Sequence, residues 1–339
     1  MSLSEAIGVA VSGGEVPGPL LSEAFREICA GNADQVQIAA LLVALRTRGE
    51  SVGEIVAVAQ ALRESAETAP CLDPRTVDTC GTGGDGAGTF NISTTVAFVV
   101  AGAGVPVAKH GNRAASSRTG SIDVLEALGV CVDLPVAESA RILERVGIAA
   151  FFARRAHPAM RHVAPVRQAL GIRTIMNAMG PLLNPLGVKI QIVGVYSSEL
   201  VGPLAEALAA LGTERALVVH GADGLDEISV TAHTHAARLH EGRVEQLQID
   251  PPAHGVALAP AETLRGGDAD HNARLLRDIL EGQAGPRRDV VLLNAAAVLW
   301  VAGEARDLDE GLEIARSSID SGAACARLDA LVAVAVEAA

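Results

Sequence analysis

Aromatic side chains are scarce in this sequence of 339 residues, at only 2% of the chain. A hydrophobic core must therefore be built mainly from Ala, Val, Leu and Ile, and the hydrophobic content of 49% is typical of a globular protein. Positive charge is also short, because the formal net charge is −13. We therefore expect no nucleic-acid partner and no membrane partner. The longest apolar run, Val96 to Ala108, is too short and too broken by glycine to span a bilayer.

Cysteine is sparse and shows no metal-binding spacing. The five cysteines are an odd number and include no C-x-x-C pair, so neither a disulfide framework nor a zinc site is indicated. The N-terminus lacks a basic segment followed by an apolar one, so no export signal is predicted. These features favour a cytoplasmic location. Cys80 abuts the most glycine-rich stretch, where a small buried residue is a better interpretation than a catalytic thiol.

Residues 1–70 carry helical patterns and no grouping of catalytic residue types. Apolar residues recur at helical spacing over 38–45, which predicts one buried helix face. Ser51 with Glu54 forms a capping box before the next apolar series. The segment Pro70–Pro74 then reads as a linker, so this part of the chain is interpreted as a helical packing lobe.

Beyond the linker, strand and helix patterns alternate, which predicts an α/β sheet. Strands are predicted at Thr76–Cys80, Val105–Ala108, Gln191–Val195, Ala216–His220 and Val290–Asn294. Helices are predicted at Thr94–Ala103, Ser121–Leu128, Ala137–Val146 and Pro203–Leu211.

The stretch after the first predicted strand is rich in glycine and hydroxyl groups. It reads Gly-Thr-Gly-Gly-Asp-Gly-Ala-Gly-Thr-Phe-Asn-Ile-Ser-Thr over residues 81–94. Positive φ and close approach to a ligand are expected of its glycines: Gly81, Gly83, Gly84, Gly86 and Gly88. Asn91 and Ser93 are N-cap residue types, and a glycine loop that ends in a helix N-terminus is an anion site, usually for phosphate. The stretch matches no standard phosphate motif, and a merely flexible turn is the alternative.

A second loop follows the next predicted strand and carries positive charge and hydroxyl groups. Its members are Lys109, His110, Arg113, Ser116, Ser117, Arg118, Thr119 and Ser121. Two consecutive strand-to-helix loops of a parallel sheet lie at the same edge, outside the carboxyl ends of the strands, where ligands bind. The pair of loops therefore predicts one substrate with several phosphate oxygens, held between them.

Two later segments concentrate charge. Five arginines lie between the predicted second and third sheet strands: Arg154, Arg155, Arg161, Arg167 and Arg173. A loop then carries three carboxylates, Asp223, Asp226 and Glu227, beside two glycines. Such a loop suits a hard cation that prefers oxygen ligands, although an exposed acidic loop is the alternative. His233 and His235 would point the same way on a strand, but no third metal ligand accompanies them.

The segments Gly81–Thr94 and Lys109–Gly129 resemble the anthranilate phosphoribosyltransferase family, whose fold is shared with nucleoside phosphorylase II. Three later motifs are similar as well: Arg-Thr-Ile-Met-Asn, Gly-Pro-Leu-Leu-Asn-Pro and Asp-Gly-Leu-Asp-Glu. Gly266-Gly267-Asp268 followed by Asn272-Ala273 also matches, and it is interpreted as a helix start. Met176 stands where phenylalanine is common in the family, a departure that concerns packing near the acceptor site.

The resemblance implies an α/β fold, with a small all-helical lobe plus a larger α/β lobe whose central, mainly parallel sheet is flanked by helices. The helical lobe is expected over residues 1–72, with part of 165–190 crossing back to it, and the α/β phosphoribosyl-binding domain over 73–339. In the family the helical lobe makes the dimer contact, so a homodimer through this lobe is expected.

The resemblance further implies a reaction. The 5-phosphoribosyl group of 5-phosphoribosyl 1-pyrophosphate is transferred to the amine of anthranilate, giving N-(5-phosphoribosyl)anthranilate and pyrophosphate. This is the second step from chorismate in L-tryptophan biosynthesis, and its implied cofactor is Mg²⁺. Site residues follow from the matched motifs.

The residues implied to bind phosphoribosyl pyrophosphate are Gly81, Gly84, Asp85, Thr89, Asn91, Ile92, Ser93, Thr94, Lys109, His110, Gly111, Asn112, Arg113, Ser116, Ser117 and Ser121. Those implied to bind anthranilate are Gly81, Asn112 and Arg167, and those implied to bind magnesium are Ser93, Asp226 and Glu227. An aromatic amine is already neutral at pH 7, so no general base is required before attack. His110 could receive the proton late or could be a hydrogen-bonding wall.

Two other functions stay open from the sequence. A pyrimidine nucleoside phosphorylase of the same fold is one, although phosphorolysis requires no site for pyrophosphate and magnesium. A non-enzymatic relative that binds nucleic acid is the other, although the net charge of −13 and the lack of a long basic stripe argue against it.

Overall fold

The computed structural model describes residues 2–114 and 118–337. Four helices begin the chain: α1 (Ser2–Val11), α2 (Gly18–Cys29), α3 (Gln35–Arg48) and α4 (Val52–Glu64). The apolar series predicted on α3 is buried. The capping box predicted at the start of α4 is confirmed: Ser51 Oγ accepts from Glu54 N at 3.2 Å, and Glu54 Oε2 accepts from Ser51 N at 3.0 Å.

Strands and helices alternate through the rest of the chain. In order they are β1 (Val77–Asp78), α5 (Ile92–Gly102), β2 (Val107–Gly111), α6 (Ser121–Ala127), α7 (Val136–Val146), β3 (Ile148–Phe152), α8 (Ala153–Ala156), α9 (Ala164–Leu170), β4 (Ile190–Gly194), α10 (Val201–Ala210), β5 (Arg215–Gly221), β6 (Thr234–His240), β7 (Arg243–Ile249), α11 (Ala269–Leu280), α12 (Pro286–Ala302), α13 (Leu308–Asp320) and α14 (Ala323–Glu337). Short 3₁₀ turns lie at Pro158–His162, Ile175–Asn177, Gly180–Leu183, Ser198–Leu200, Pro251–His254 and Ala261–Leu264.

The strands form one seven-stranded sheet in the order β3-β2-β1-β4-β5-β6-β7. Neighbouring strands from β3 across to β5 are parallel, and β6 and β7 add an antiparallel edge. The β6–β7 hairpin turns through Glu241 and Gly242, both at positive φ, which matches the twist of the strands. The mainly parallel sheet expected from the sequence is therefore confirmed.

Side chains alternate across the sheet and feed two hydrophobic cores. Ile192 and Leu217 point into a core shared with α5, α11, α12 and α14, whereas Val193 and Val218 point into a core shared with the N-terminal helices. Residues 163–183 contribute to this second core as well. The N-terminal helices are thus joined to one face of the sheet.

The prediction of a strand over Val290–Asn294 is wrong, because this segment lies inside α12. That helix is buried on nearly every side, and a short run that is apolar all round has no periodicity to separate helix from strand. Asn294 uses its buried position to donate to Ile228 O at 2.8 Å and accept from Ile228 N at 2.9 Å. The helix thereby fixes the backbone next to Glu227.

The chain's single tryptophan, Trp300, lies on α12. The guanidinium carbon of Arg238 is 4.1 Å from the centre of its ring, a cation–π contact. Among the described helices, none combines the length and the apolar composition that a bilayer span requires.

Candidate active site

The carboxyl ends of β1, β2 and β4 meet at one edge of the sheet. Strand β1 has β2 on one side and β4 on the other, so the connections leave β1 in opposite directions along the sheet. Such a switch point opens a crevice where ligands of open α/β sheets bind. Both loops singled out in the sequence begin here.

The first glycine loop, residues 81–91, turns where the sequence predicts, with one exception. Gly83, Gly84, Gly86 and Gly88 have φ between 64° and 78°, and a Cβ on any of them would meet nothing within 4 Å. The prediction of positive φ is wrong for Gly81. A Cβ there would lie 3.2 Å from Asp226 Oδ2 and 3.2 Å from Gly194 O, so Gly81 serves close packing instead.

The acidic loop folds against this glycine loop and against the start of α5. Asp226 Oδ2 accepts from Gly83 N at 2.8 Å, and Glu227 Oε1 accepts from Ser93 N at 3.1 Å. The three residues implied to bind magnesium, Ser93, Asp226 and Glu227, are therefore brought together. One N–H group at the positive end of α5 is directed at a carboxylate rather than left available for phosphate.

The acidic residues repel one another in a place that water reaches poorly. Burial, and then the neighbouring Asp85 carboxylate, raise the pKa of Asp226. Burial, and then Asp226, raise the pKa of Glu227. An all-oxygen donor set of crowded carboxylates is what a hard divalent cation requires. The residues present thus fit magnesium.

Lys109 and His110 do not belong to the second loop, as the sequence suggested, but to β2, which runs on to Gly111. Both side chains are buried. The Lys109 ammonium donates to Thr79 O at 2.9 Å and to Ser93 Oγ at 3.4 Å. Its charge therefore lies under the first loop, beside the acidic group formed by Asp226 and Glu227.

His110 sits in a setting that keeps it neutral. Burial, and then the neighbouring His157, lower the pKa of His110 to about 3. Its Nδ1 lies 3.1 Å from Gly180 O, and a carbonyl only accepts, so Nδ1 carries the proton. A neutral imidazole with a strongly lowered pKa is a weak base. Of the two roles considered for His110, this favours a hydrogen-bonding wall over a late proton acceptor.

Sequence reasoning missed a buried carboxyl–amide pair beneath the site. Asn184 Nδ2 donates to Asp78 Oδ2 at 2.8 Å and to Ala108 O at 3.0 Å, while His110 N donates to Asp78 Oδ1 at 3.2 Å. Burial raises the pKa of Asp78 to about 6. The asparagine of the Gly-Pro-Leu-Leu-Asn-Pro motif was the available signal, and the pair ties β1 to β2.

Cys80 is buried, and burial raises its pKa to about 12, so its thiol is inert.

The second loop is only partly brought to the site. Asn112 is exposed, and its carbonyl accepts from Ser121 Oγ at 3.4 Å. Arg113 turns to Glu126, with 2.6 Å between Nη2 and Oε1, and contacts no residue of the acidic group. Ser116 and Ser117 lie outside the described residues.

Arg167 and Arg173, two of the five arginines singled out in the sequence, differ in environment. Arg167 lies half-buried on α9, and burial lowers the pKa of its guanidinium. No hydrogen bond to its side chain is found within residues 2–114 and 118–337. Arg173 donates to Gly84 O and stacks 4.2 Å from the ring centre of Tyr196. Arg173 and Tyr196 thus hold the first loop, a role the sequence did not suggest.

The remaining predicted donor-binding residues lie along the first loop and the start of α5. Asp85 Oδ1 accepts from Ala87 N at 3.1 Å, and Thr89 pairs with Arg265 in an isolated bridge. Ile92 and Thr94 have buried side chains, so only their backbone could reach a ligand. Asn91 is half-buried, with its amide toward the second loop.

Comparison with known proteins identifies the family. A model described as "Glycosyl transferase family, helical bundle domain" matches residues 7–66, and one described as "Glycosyl transferase family, a/b domain" matches residues 73–325. The chain is 51% identical to an anthranilate phosphoribosyltransferase of Rubrobacter xylanophilus, over 98% of this chain and 97% of that one.

Solved structures agree. The anthranilate phosphoribosyltransferase of Thermus thermophilus superposes with a TM-score of 0.93 at 44% identity, covering 98% of this chain and 99% of that one. The enzyme of Saccharomyces cerevisiae, in complex with PRPP and Mg, gives 0.90 at 28% identity, covering 99% and 98%. The chain therefore belongs to the anthranilate phosphoribosyltransferases of the glycosyl transferase family.

Proposed function

We propose that this enzyme transfers the 5-phosphoribosyl group of 5-phosphoribosyl 1-pyrophosphate to the amine of anthranilate and releases pyrophosphate, as in tryptophan biosynthesis. One observation carries the proposal. At the switch point of the sheet, the buried Lys109 ammonium and the Glu227 carboxylate lie within hydrogen-bonding distance of Ser93, and Asp226 accepts from Gly83 N in the glycine loop. That combination suits a substrate with many phosphate oxygens and a divalent cation.

The donor lies between the two loops. Backbone N–H groups of the first loop and the amide of Asn91 face its phosphates. The Lys109 ammonium beneath the loop attracts the same oxygens, and Asn112 with Ser121 closes the other side. Negative charge grows on pyrophosphate as the bond to the ribosyl carbon breaks, so donors fixed in advance stabilise the transition state more than the ground state.

Ser93, Asp226 and Glu227 would hold magnesium. There the ion would supply charge compensation for the leaving pyrophosphate. The chain's own part is to hold two carboxylates together at a cost in repulsion, which the contacts from Gly83 N and Ser93 N partly offset. Burial, and then that repulsion, raise the pKa values of Asp226 and Glu227.

Anthranilate is recognised through its carboxylate and kept neutral at its amine. The desolvated Arg167 guanidinium offers a planar pair of donors that suits a carboxylate. Gly81 and Asn112 complete the acceptor site, and neutral His110 forms a wall that takes no proton before attack. Positioning of the amine against the ribosyl carbon supplies much of the rate enhancement.

The helical lobe is proposed to comprise residues 1–72 with part of 165–190, and the α/β domain residues 73–339. A groove of about 760 Å³ on the lobe is lined mainly by small apolar side chains of α1 and α3, together with Thr47 and Arg48. Val11 and Val36 are 71% and 76% exposed there. A second copy of the chain covers this face in the proposed homodimer, because such a patch is costly to leave in water.

All five cysteines are free, as the proposed cytoplasmic location requires.

The experiment follows the fluorescence of anthranilate after addition of phosphoribosyl pyrophosphate, with and without magnesium. Loss of fluorescence and release of pyrophosphate, both dependent on magnesium, are expected. The matched variant carries Asp226→Asn with Glu227→Gln and is expected to lose turnover at limiting magnesium. Phosphorolysis of a pyrimidine nucleoside without loss of anthranilate would instead favour the phosphorylase alternative.

A further inference from the structure

A short segment that contains none of the proposed site residues connects the two ligand-binding loops. This segment, residues 264–272, precedes and begins α11. Its backbone runs antiparallel to the first loop: Phe90 N donates to Leu264 O at 3.1 Å, and Gly266 N donates to Gly88 O at 3.0 Å. A Cβ on Gly266 would lie 2.7 Å from the backbone of Phe90. The approach is therefore as close as a glycine allows.

The same segment reaches the second loop. Thr119 Oγ1 donates to Gly267 O at 2.9 Å. Thr119 in turn accepts at its carbonyl from Asn91 Nδ2, 3.3 Å away. The first loop, the second loop and the start of α11 thus share one hydrogen-bonded network.

Asn272 sets the direction of that network. It is 2% exposed. Its Oδ1 accepts from Gly267 N at 2.7 Å, and its Nδ2 donates to Asn91 Oδ1 at 2.9 Å. A backbone N–H only donates, so the Asn272 amide has one allowed orientation. Asn91 must then present its oxygen to Asn272 and its N–H groups to the site side, one of them to Thr119 O.

We propose that Asn272 is a positioning residue for the donor site, which fixes the amide orientation of Asn91 and couples the two loops. The inference rests on the proposed donor site. Without this relay the Asn91 amide could rotate and present an oxygen to the phosphates, which would exchange an attractive contact for a repulsive one. Asn272 itself needs no contact with substrate.

The test is a near-isosteric substitution, Asn272→Asp. A carboxylate there still accepts from Gly267 N but no longer donates to Asn91. We expect donor affinity, measured by calorimetry in the whole enzyme, to fall about tenfold, the scale of one or two buried hydrogen bonds. The KM for anthranilate should stay unchanged. If Asn272 had only a general structural role, its substitution would affect both substrates. Asp268→Ala removes the cap that accepts from His271 N, so it lowers stability while leaving the relay intact, and it is the stability control.

A double-mutant cycle makes the test specific. If Asn272 acts through Asn91, then Asn91→Ala combined with Asn272→Asp loses no more donor affinity than Asn91→Ala alone. Losses that multiply would overturn the proposal, as would an Asn272→Asp variant that binds donor as well as Asp268→Ala. Wild-type enzyme that binds no phosphoribosyl pyrophosphate would refute the proposed function itself, a separate outcome.

Discussion

Gly194, the last residue of β4, is the position where one methyl group should do the most damage. A Cβ placed there would lie 1.5 Å from the carbonyl oxygen of Asp226, and real Cβ atoms essentially never come closer than 3.0 Å. The contact is with backbone, so no rotamer change relieves it. Gly194 O also accepts from Thr82 N at 2.8 Å, so a shift of the strand would disturb the first loop instead.

The magnitude follows from that distance. Gly194→Ala must displace the backbone of Asp226 by more than an ångström, and a misplacement of about 1 Å costs about a hundredfold in rate. Overpacking of this kind costs about 1–3 kcal/mol of stability, so the variant should remain folded at 25 °C. We expect kcat/KM to fall about a hundredfold or more, with partial recovery at high magnesium.

The assay is steady-state turnover of anthranilate at several magnesium concentrations, with circular dichroism to establish folding. Gly202→Ala on α10 is the matched control, since its nearest neighbour would be 3.7 Å away. It should keep full activity and gain up to about 1 kcal/mol of stability, because alanine favours a helix. A folded Gly194→Ala enzyme within threefold of wild type would refute the reasoning.

Three further predictions concern the acceptor, the acidic pair and the dimer. Arg167→Ala should raise the KM for anthranilate about ten- to a hundredfold and spare donor binding; a loss on the donor side alone in initial-rate kinetics would contradict it. Because the pKa values of Asp226 and Glu227 are raised on folding, the folded enzyme binds more protons than the unfolded chain between the ordinary carboxyl range and neutral pH. Stability without magnesium should therefore rise as pH falls from about 8 to about 6, and calorimetric Tm values should lose that dependence at saturating magnesium. Val43→Glu should give a monomer in analytical ultracentrifugation, whereas Leu258→Glu, an exposed site elsewhere, should not.

The fold was predictable where periodicity is unambiguous. The buried face of α3 and the capping box at Ser51 are local patterns with a single physical solution, and both are found. The strand predicted over Val290–Asn294 fails because α12 is apolar on all sides, and only tertiary burial decides its conformation. Strand β1 is shorter than predicted, with Val77 and Asp78 alone in regular pairing.

The site was predictable as a set of loops but not as a set of contacts. Position in sequence places Ser93 and Glu227 at loop ends, yet only the folded chain shows that Ser93 N donates to that carboxylate. Arg113 belongs to a matching motif, but its side chain forms an ion pair with Glu126 of α6. The motif alone does not show that this carboxylate lies within reach. The amide relay of Asn272 spans 181 residues of sequence, a separation that no local pattern encodes.

The scarcity of aromatic residues gives this enzyme an internal reporter. Trp300 is the only indole, and it lies against Arg238 on the antiparallel side of the sheet. Its emission therefore describes one place in the molecule, the contact between α12 and the Arg238 side chain of β6. Unfolding can be followed by tryptophan emission while catalysis is followed by the longer-wavelength emission of anthranilate. The effect of a substitution on folding can thus be distinguished from its effect on catalysis in one sample, without an added label.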